Sequence, residues 1–146
     1  MQRHHLLPRQ LLNARCLHRL FDRGGRERVG FDDFRRNGLL LPCTEPAALR
    51  IGLPLHRGPH RDYSAMVFER VGRIESAWAA RRLRAPEAAL EEALMRLGLL
   101  QRALRRRLLA DRARLRLNRG DPLGVGRDFT DLDAMAELLW RETAPG

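Results

Sequence analysis

The sequence predicts an α+β fold: a small mixed unit over residues 1–80, followed by an all-helical segment over residues 81–146. Two observations carry this. Short apolar runs bounded by Pro, Gly and Asn-Gly occupy the first 55 residues, as strands and turns require. From Tyr63 to Leu108 the apolar residues recur instead at intervals of three and four, the period of an amphipathic helix. At 146 residues the chain is long enough to bury a real core.

Taken in order, His4 to Leu7 is a short apolar piece ending at Pro8, an edge strand or the start of a turn. Gln10 to Phe21 places Leu11, Leu12, Cys16, Leu17 and Leu20 at helical spacing and is expected to close at Gly24-Gly25. In GFDDFRR an acidic pair between Phe31 and Phe34 suggests a single helical turn. Asn37-Gly38 reads as a turn and Leu39 to Leu41 as a buried strand stopped by Pro42. After the TEPAA loop, Leu49 to Leu55 is expected to form a second strand, pairing back on the first and delivering His56. Gly58 and Pro59 make a bend that starts a helix at about Pro59, with His60 in its first turn.

That helix carries Tyr63, Val67, Val71, Ile74 and Trp78 as one stripe. Pro86 restarts the chain in a helix whose stripe is Leu90, Leu94, Leu97, Leu104 and Leu108, with Gly98 leaving open whether there is one helix or two. Two such helices pack most simply as an antiparallel hairpin. Arg105 to Arg107 and Arg112 to Arg119 load its end with charge. NRGDPLGVG reads as a loop, and Thr130 caps a last helix with Asp133 in capping-box position.

The formal net charge is +10, with 28 basic residues that are all Arg and no Lys. The excess favours a polyanionic partner, nucleic acid being the commonest, although a lysine-free, Ala- and Leu-rich composition also fits a coding bias. No apolar run reaches the length of a membrane span, and the N-terminus lacks a secretory signal, so a leaderless, cytoplasmic chain without membrane partners is expected. Cys16 and Cys43 match no CxxC spacing and are expected to be reduced and buried, which argues against a thiolate zinc site.

Four of the five histidines fall in two short pieces, His4-His5 and His56 with His60. Zinc-group divalent ions accept neutral imidazole, and three protein ligands leave a position open for water or substrate. His4, His56 and His60 supply that number. His5, next to His4 on an extended backbone, points to the other side and can face whatever the metal holds. A histidine near neutral pKa is suited to taking a proton from water. Arg3, Arg9, Arg57 and Arg61 stand where a nucleic-acid backbone would lie. The fifth histidine, His18, is expected to be a surface or packing residue.

The order His4-His5-Leu6-Leu7-Pro8, Asn37-Gly38-Leu39-Leu40-Leu41-Pro42, then His56-Arg57-Gly58-Pro59-His60 with Tyr63, resembles the HNH/endonuclease VII superfamily with its ββα-metal core. Within it, the sequence is similar to the AHH nucleases, named for Ala-His-His. The resemblance covers roughly the first half of the chain. It implies an endonuclease dependent on one divalent ion (Zn, Ni, Mn or Mg), acting on double-stranded DNA more than RNA. Such a nuclease is often a bacterial toxin module, whose partner would be an immunity protein. By analogy with colicin-type DNases, His4 would be a ligand and His5 the general base. His56 and His60 would complete the metal site, and Asn37 would brace the loop facing His5. Tyr63 joins the arginines as an expected nucleic-acid contact. Arg3 stands where the family name has Ala. Only three residues precede His4, which leaves open a start further upstream or a trimmed, stand-alone version. Two other readings compete: a non-catalytic nucleic-acid-binding protein that keeps the nuclease fold, and a helical protein whose histidines hold a structural zinc. His5 discriminates, because a structural site has no use for a fourth histidine beside its ligand.

Overall fold

The computed structural model describes residues 1–58, 60–110, 117 and 130–143, with the side chains of residues 23, 24, 130 and 131 left aside. It is α+β. Strand β1, Gln2–His5, pairs antiparallel with β2, Gly38–Leu41, in the register His4 opposite Leu39 and His5 opposite Gly38. The alternation of side chains along a strand turns His4 inward and leaves His5 half-buried. Leu6 and Leu7 follow directly into the core at 0% exposure.

The expected helix over Gln10 to Phe21 is not one helix. Arg9–Asn13 and Arg15–Leu17 are short 3₁₀ turns separated by an extended Ala14, and an irregular helical run continues from His18 to Arg28. Because 3₁₀ turns have a different period from the α-helix, Cys16 is rotated out and exposed; Cys43 is half-buried, and both are free thiols. Nor does the run stop at Gly24-Gly25. Phe21–Gly25 widens into a π turn, and a Cβ at Gly25 would lie 2.6 Å from the Leu20 carbonyl oxygen, so glycine permits this turn rather than ending it. The terminating glycine is Gly30, at φ 69°.

The second strand does not come from Leu49 to Leu55. That stretch begins inside helix α1, Glu45–Ile51, which Thr44 caps through its hydroxyl and Gly52 closes in the left-handed conformation at φ 75°. Thr44, Pro46 and Gly52 together are a helix start and stop, and they outweigh the apolar content of the stretch. His56 is delivered by the segment after α1, anchored by its N–H to the Pro42 carbonyl at 2.7 Å.

Helix α2, Arg61–Arg81, and helix α3, Pro86–Leu109, form the expected antiparallel hairpin, and α3 runs through Gly98 without a break. An Arg81–Glu92 ion pair lies near the turn. The stripe of α2 is buried at Tyr63, Val67, Val71 and Trp78. That of α3 is rotated from the expected one: Ala89, Ala93, Leu97, Leu104 and Leu108 are buried, while Leu90 and Leu94 are only partly so.

Helix α4, Thr130–Thr143, lies across the pair. The Arg70 guanidinium holds Asp133 through Nε and Nη2, at 2.9 and 2.8 Å, and Arg96 stacks on Trp140 at 4.1 Å. Asp133 thus faces Arg70. The capping role expected of Thr130, the loop over 118–126 and the arginines of 112–119 lie outside the described residues. The buried apolar residues form one cluster from Leu6 to Leu139. Among the described residues, no helix is long and apolar enough to cross a membrane.

Trp78, at 5% exposure, tests the hairpin. Trp78→Ala should lower unfolding free energy by about 3–5 kcal/mol in chemical denaturation; a loss well below about 1 kcal/mol would mean that the stripe is not enclosed.

Candidate metal centre

Three segments meet at one end of the fold: β1, the stretch around His56, and the start of α2. Gly58, at φ 73°, turns the chain between His56 and His60. His60 is the residue that precedes α2, at φ −104° and ψ 55°, one position outside the helix, rather than inside a first turn beginning at Pro59. Its carbonyl accepts from Ser64 N–H at 2.8 Å.

The rings of His4, His56 and His60 converge. Centroid separations are 5.2 Å for His4–His56, 5.6 Å for His4–His60 and 4.4 Å for His56–His60. One ring nitrogen from each lies within 4.8 Å of the others. Underneath, the Tyr63 ring packs edge-on against His4 at 4.8 Å and its hydroxyl donates to the Leu6 carbonyl at 2.7 Å. Tyr63 is 2% exposed, so it is a floor of the site, buried as its place in the helix stripe requires, rather than the nucleic-acid contact that the resemblance implied.

Burial sets the protonation states. His4, 3% exposed, has its pKa lowered to about 3 by desolvation first and then by its histidine neighbours. His56 is lowered to about 4, again by desolvation and then by His60. Both are neutral imidazoles near neutral pH, the form that binds metal. The buried Nε2 of His4 has no hydrogen-bond partner among the described residues, a condition that a buried polar atom does not meet without cost. Neutral nitrogen donors aimed at a common region, one with a lone pair unsatisfied, fit a borderline divalent cation such as zinc.

His5 stands apart from the three, as strand alternation requires. It lines the same cleft of about 340 Å³ with Arg3 and Arg9. Its pKa is lowered, by desolvation first and then by the Arg9 guanidinium, with Asp32 acting in the opposite sense. Arg3 and Arg9 are exposed on the cleft wall, and the Arg3 guanidinium lies 5.3 Å from the Phe34 ring centre. Arg57 and Arg61 are exposed to either side of His60. His18 is exposed with Nε2 3.0 Å from the Leu12 carbonyl, a surface residue as expected.

Asn37 does not face the cleft. It is 0% exposed and clamps the chain just after the paired histidines. Its Oδ1 accepts from Leu7 N–H at 2.8 Å, while Nδ2 donates to the carbonyls of Leu7 at 3.1 Å and Phe31 at 3.0 Å. Its own carbonyl accepts from Leu6 N–H at 2.9 Å. Two residues that sequence reasoning missed support it from α3. Gln101 Nε2 donates to Asn37 Oδ1 at 3.2 Å, and Arg105 donates to the carbonyls of Arg35 at 2.7 Å and Gly38 at 2.8 Å. Gln101 leaves a signal in the sequence: it occupies the stripe between Leu97 and Leu104, where a polar residue needs a buried partner.

The lowered histidine pKa values predict an acid-sensitive apo-protein. Against an ordinary value of 6.5 in the unfolded chain, His4 at about 3 and His56 at about 4 make the unfolded state bind protons first as pH falls. Stability should be full above about pH 6.5 and decline toward pH 4 and 3, with His4 alone removing about 2 kcal/mol by about pH 5. His56 is less buried and should add less. Urea denaturation of metal-free protein at about pH 7.5 and 5 reads this directly; equal midpoints would contradict the buried, neutral cluster.

No curated protein and no solved structure matches the chain. A family model does, over residues 1–104: a nuclease family of the HNH/ENDO VII superfamily with conserved AHH. The match takes in both strands, the three converging histidines, all of α2 and most of α3, and it includes the adjacent pair His4-His5. Nucleases of this superfamily use a divalent metal. The chain belongs to the AHH nuclease family of the HNH/ENDO VII superfamily.

Proposed function

We propose that the protein is a metal-dependent endonuclease that hydrolyses phosphodiester bonds of double-stranded DNA. The observation that carries the reading is the division of labour across β1: His4 turns inward to meet His56 and His60, while its neighbour His5 faces the same cleft from outside the cluster.

A divalent ion (Zn, Ni, Mn or Mg) held by His4, His56 and His60 would supply Lewis-acid stabilisation of the charge that develops on a phosphate oxygen. The chain's own residues do the rest. His5 is kept neutral by its lowered pKa, so it accepts a proton from water as that water's oxygen attacks phosphorus. The bond from phosphorus to the leaving sugar oxygen breaks, and that oxygen leaves with a proton drawn from solvent. Arg3 and Arg9 on the cleft wall, with Arg57 and Arg61 beside it, hold the flanking phosphates, in keeping with the net charge of +10. Asn37 acts as a positioning residue, fixing Leu6 and Leu7 and through them the strand that carries both His4 and His5. DNA is preferred over RNA because it is the commoner substrate of the superfamily. Use as a bacterial toxin module, countered by an immunity protein, follows on the same ground.

Nicking of supercoiled plasmid with added Mg²⁺, Mn²⁺, Ni²⁺ or Zn²⁺ tests the mechanism. His5→Ala should retain metal and DNA binding yet lose turnover by about 10²–10⁴-fold, whereas His4→Ala should lose metal and activity together. A His5→Ala variant as fast as wild type would rule out this mechanism. A wild type that cleaves neither DNA nor RNA with any of the four ions would replace it with a nucleic-acid-binding role.

A further inference from the structure

We propose that Gln2 is a positioning residue for the metal centre, selecting which nitrogen of His56 is offered to the ion. The inference rests on the metal reading of the site. The Oε1 of Gln2 lies 3.0 Å from Nδ1 of His56. An amide oxygen can only accept, so the His56 proton resides on Nδ1 and the lone pair is left on Nε2. Gln2 and His4 are two apart on β1 and share a face of the strand. One strand face therefore presents a ligand of its own and the group that orients a second ligand 54 residues away in sequence.

Besides a hydrogen bond from its ring to its own backbone, His56 is held at two points outside its own segment. Its N–H donates to the carbonyl of Pro42 at 2.7 Å, directly after β2, and its ring donates to Gln2 on β1. Gln2 pairs with Leu41 in the sheet register, so the two anchor points are neighbours across the strands. The sheet thus fixes both the backbone and the ring of His56, on a segment whose described residues 53–58 form no helix or strand. Partners of this kind fix the tautomer and ring direction of a metal-binding histidine, and their removal typically costs about 10–100-fold in metal affinity. A neutral amide oxygen holds the ring without adding charge to the site.

The test uses the full chain with zinc as the probe. In metal-free wild type, long-range ¹H–¹⁵N spectra should show His56 protonated at Nδ1, and Gln2→Ala should shift the ring to a mixture of tautomers. Gln2→Glu should keep the Nδ1–H form, because a carboxylate accepts the same bond. By calorimetry, Gln2→Ala should bind zinc about 10–100-fold more weakly and Gln2→Glu should stay close to wild type. Gln2 is exposed and its strand pairing is through the backbone, so thermal midpoints of the variants should match. His56 found protonated at Nε2 in wild type would overturn the proposal. Zinc affinity lost in His56→Ala but unchanged in Gln2→Ala would overturn the Gln2 assignment alone, whereas affinity unchanged in His56→Ala would overturn the metal reading and this proposal with it.

Discussion

The structure depends on one buried side chain, the amide of Asn37. An amide enclosed in an apolar core costs several kcal/mol unless its donors and acceptor are met, and here they are met by the chain on either side of the site. It ties the Leu6–Leu7 segment to the Phe31 turn and receives Gln101 from α3. Because Asn37 immediately precedes β2, these bonds also fix where β2 starts. With Gly38 opposite His5 in the sheet, the position of Asn37 decides which paired histidine turns inward. A slip of one residue would exchange His4 and His5 between the two faces. Arg105, bonded to the carbonyls flanking Asn37, closes the same corner from the helical hairpin. The long helices therefore serve the site as well as the core.

A second constraint is electrostatic. In a chain of net charge +10, Arg3, Arg9, Arg57 and Arg61 are exposed, whereas the His4 imidazole is buried and uncharged. Burial of His4 holds its pKa near 3, with His56 and His60 adding to the effect, and His60 likewise disfavours protonation of His56. The cluster is thus a set of lone pairs within a positive surround, which suits a cation only if its ligands are neutral and its anionic substrate arrives from the arginine side. Arg3 and Arg9 on the cleft wall and Arg57 and Arg61 near His60 give that side its sign. Some of the other arginines are instead engaged by carboxylates, as Arg70 is by Asp133 and Arg28 by Glu91.

Much of this was legible in the sequence, and the parts that were not share a cause. The stripe from Tyr63 to Trp78 and the Pro86 restart read through because helical period and a first-turn proline are local signals. The grouping of His4, His56 and His60 could be read because strand alternation separates His4 from His5 and the Gly58 bend brings the other two together. The region between was misread where terminal signals compete with apolar content. Thr44, Pro46 and Gly52 make a helix of a stretch whose leucines and isoleucine suggested a strand, and the strand partner was instead the N-terminal segment itself. The 3₁₀ and π turns over Arg9 to Gly25 have periods that an α-helical template cannot detect. Tyr63 was expected both in the apolar stripe of its helix and as a nucleic-acid contact; its ring is buried, and its hydroxyl is taken up by a backbone carbonyl 57 residues away. Gln2, Gln101 and Arg105 act through partners distant in sequence, and of these only Gln101 left a trace, as a polar residue in an apolar stripe.

The proposed site has the imidazoles of His4, His56 and His60 around one ion. X-ray absorption at the metal edge of the zinc-loaded chain examines it most directly. The account predicts three imidazole nitrogens at about 2.0–2.1 Å, with any further donor an oxygen. A shell with one imidazole or none, or a sulfur at about 2.3 Å contributed by a cysteine, would contradict it.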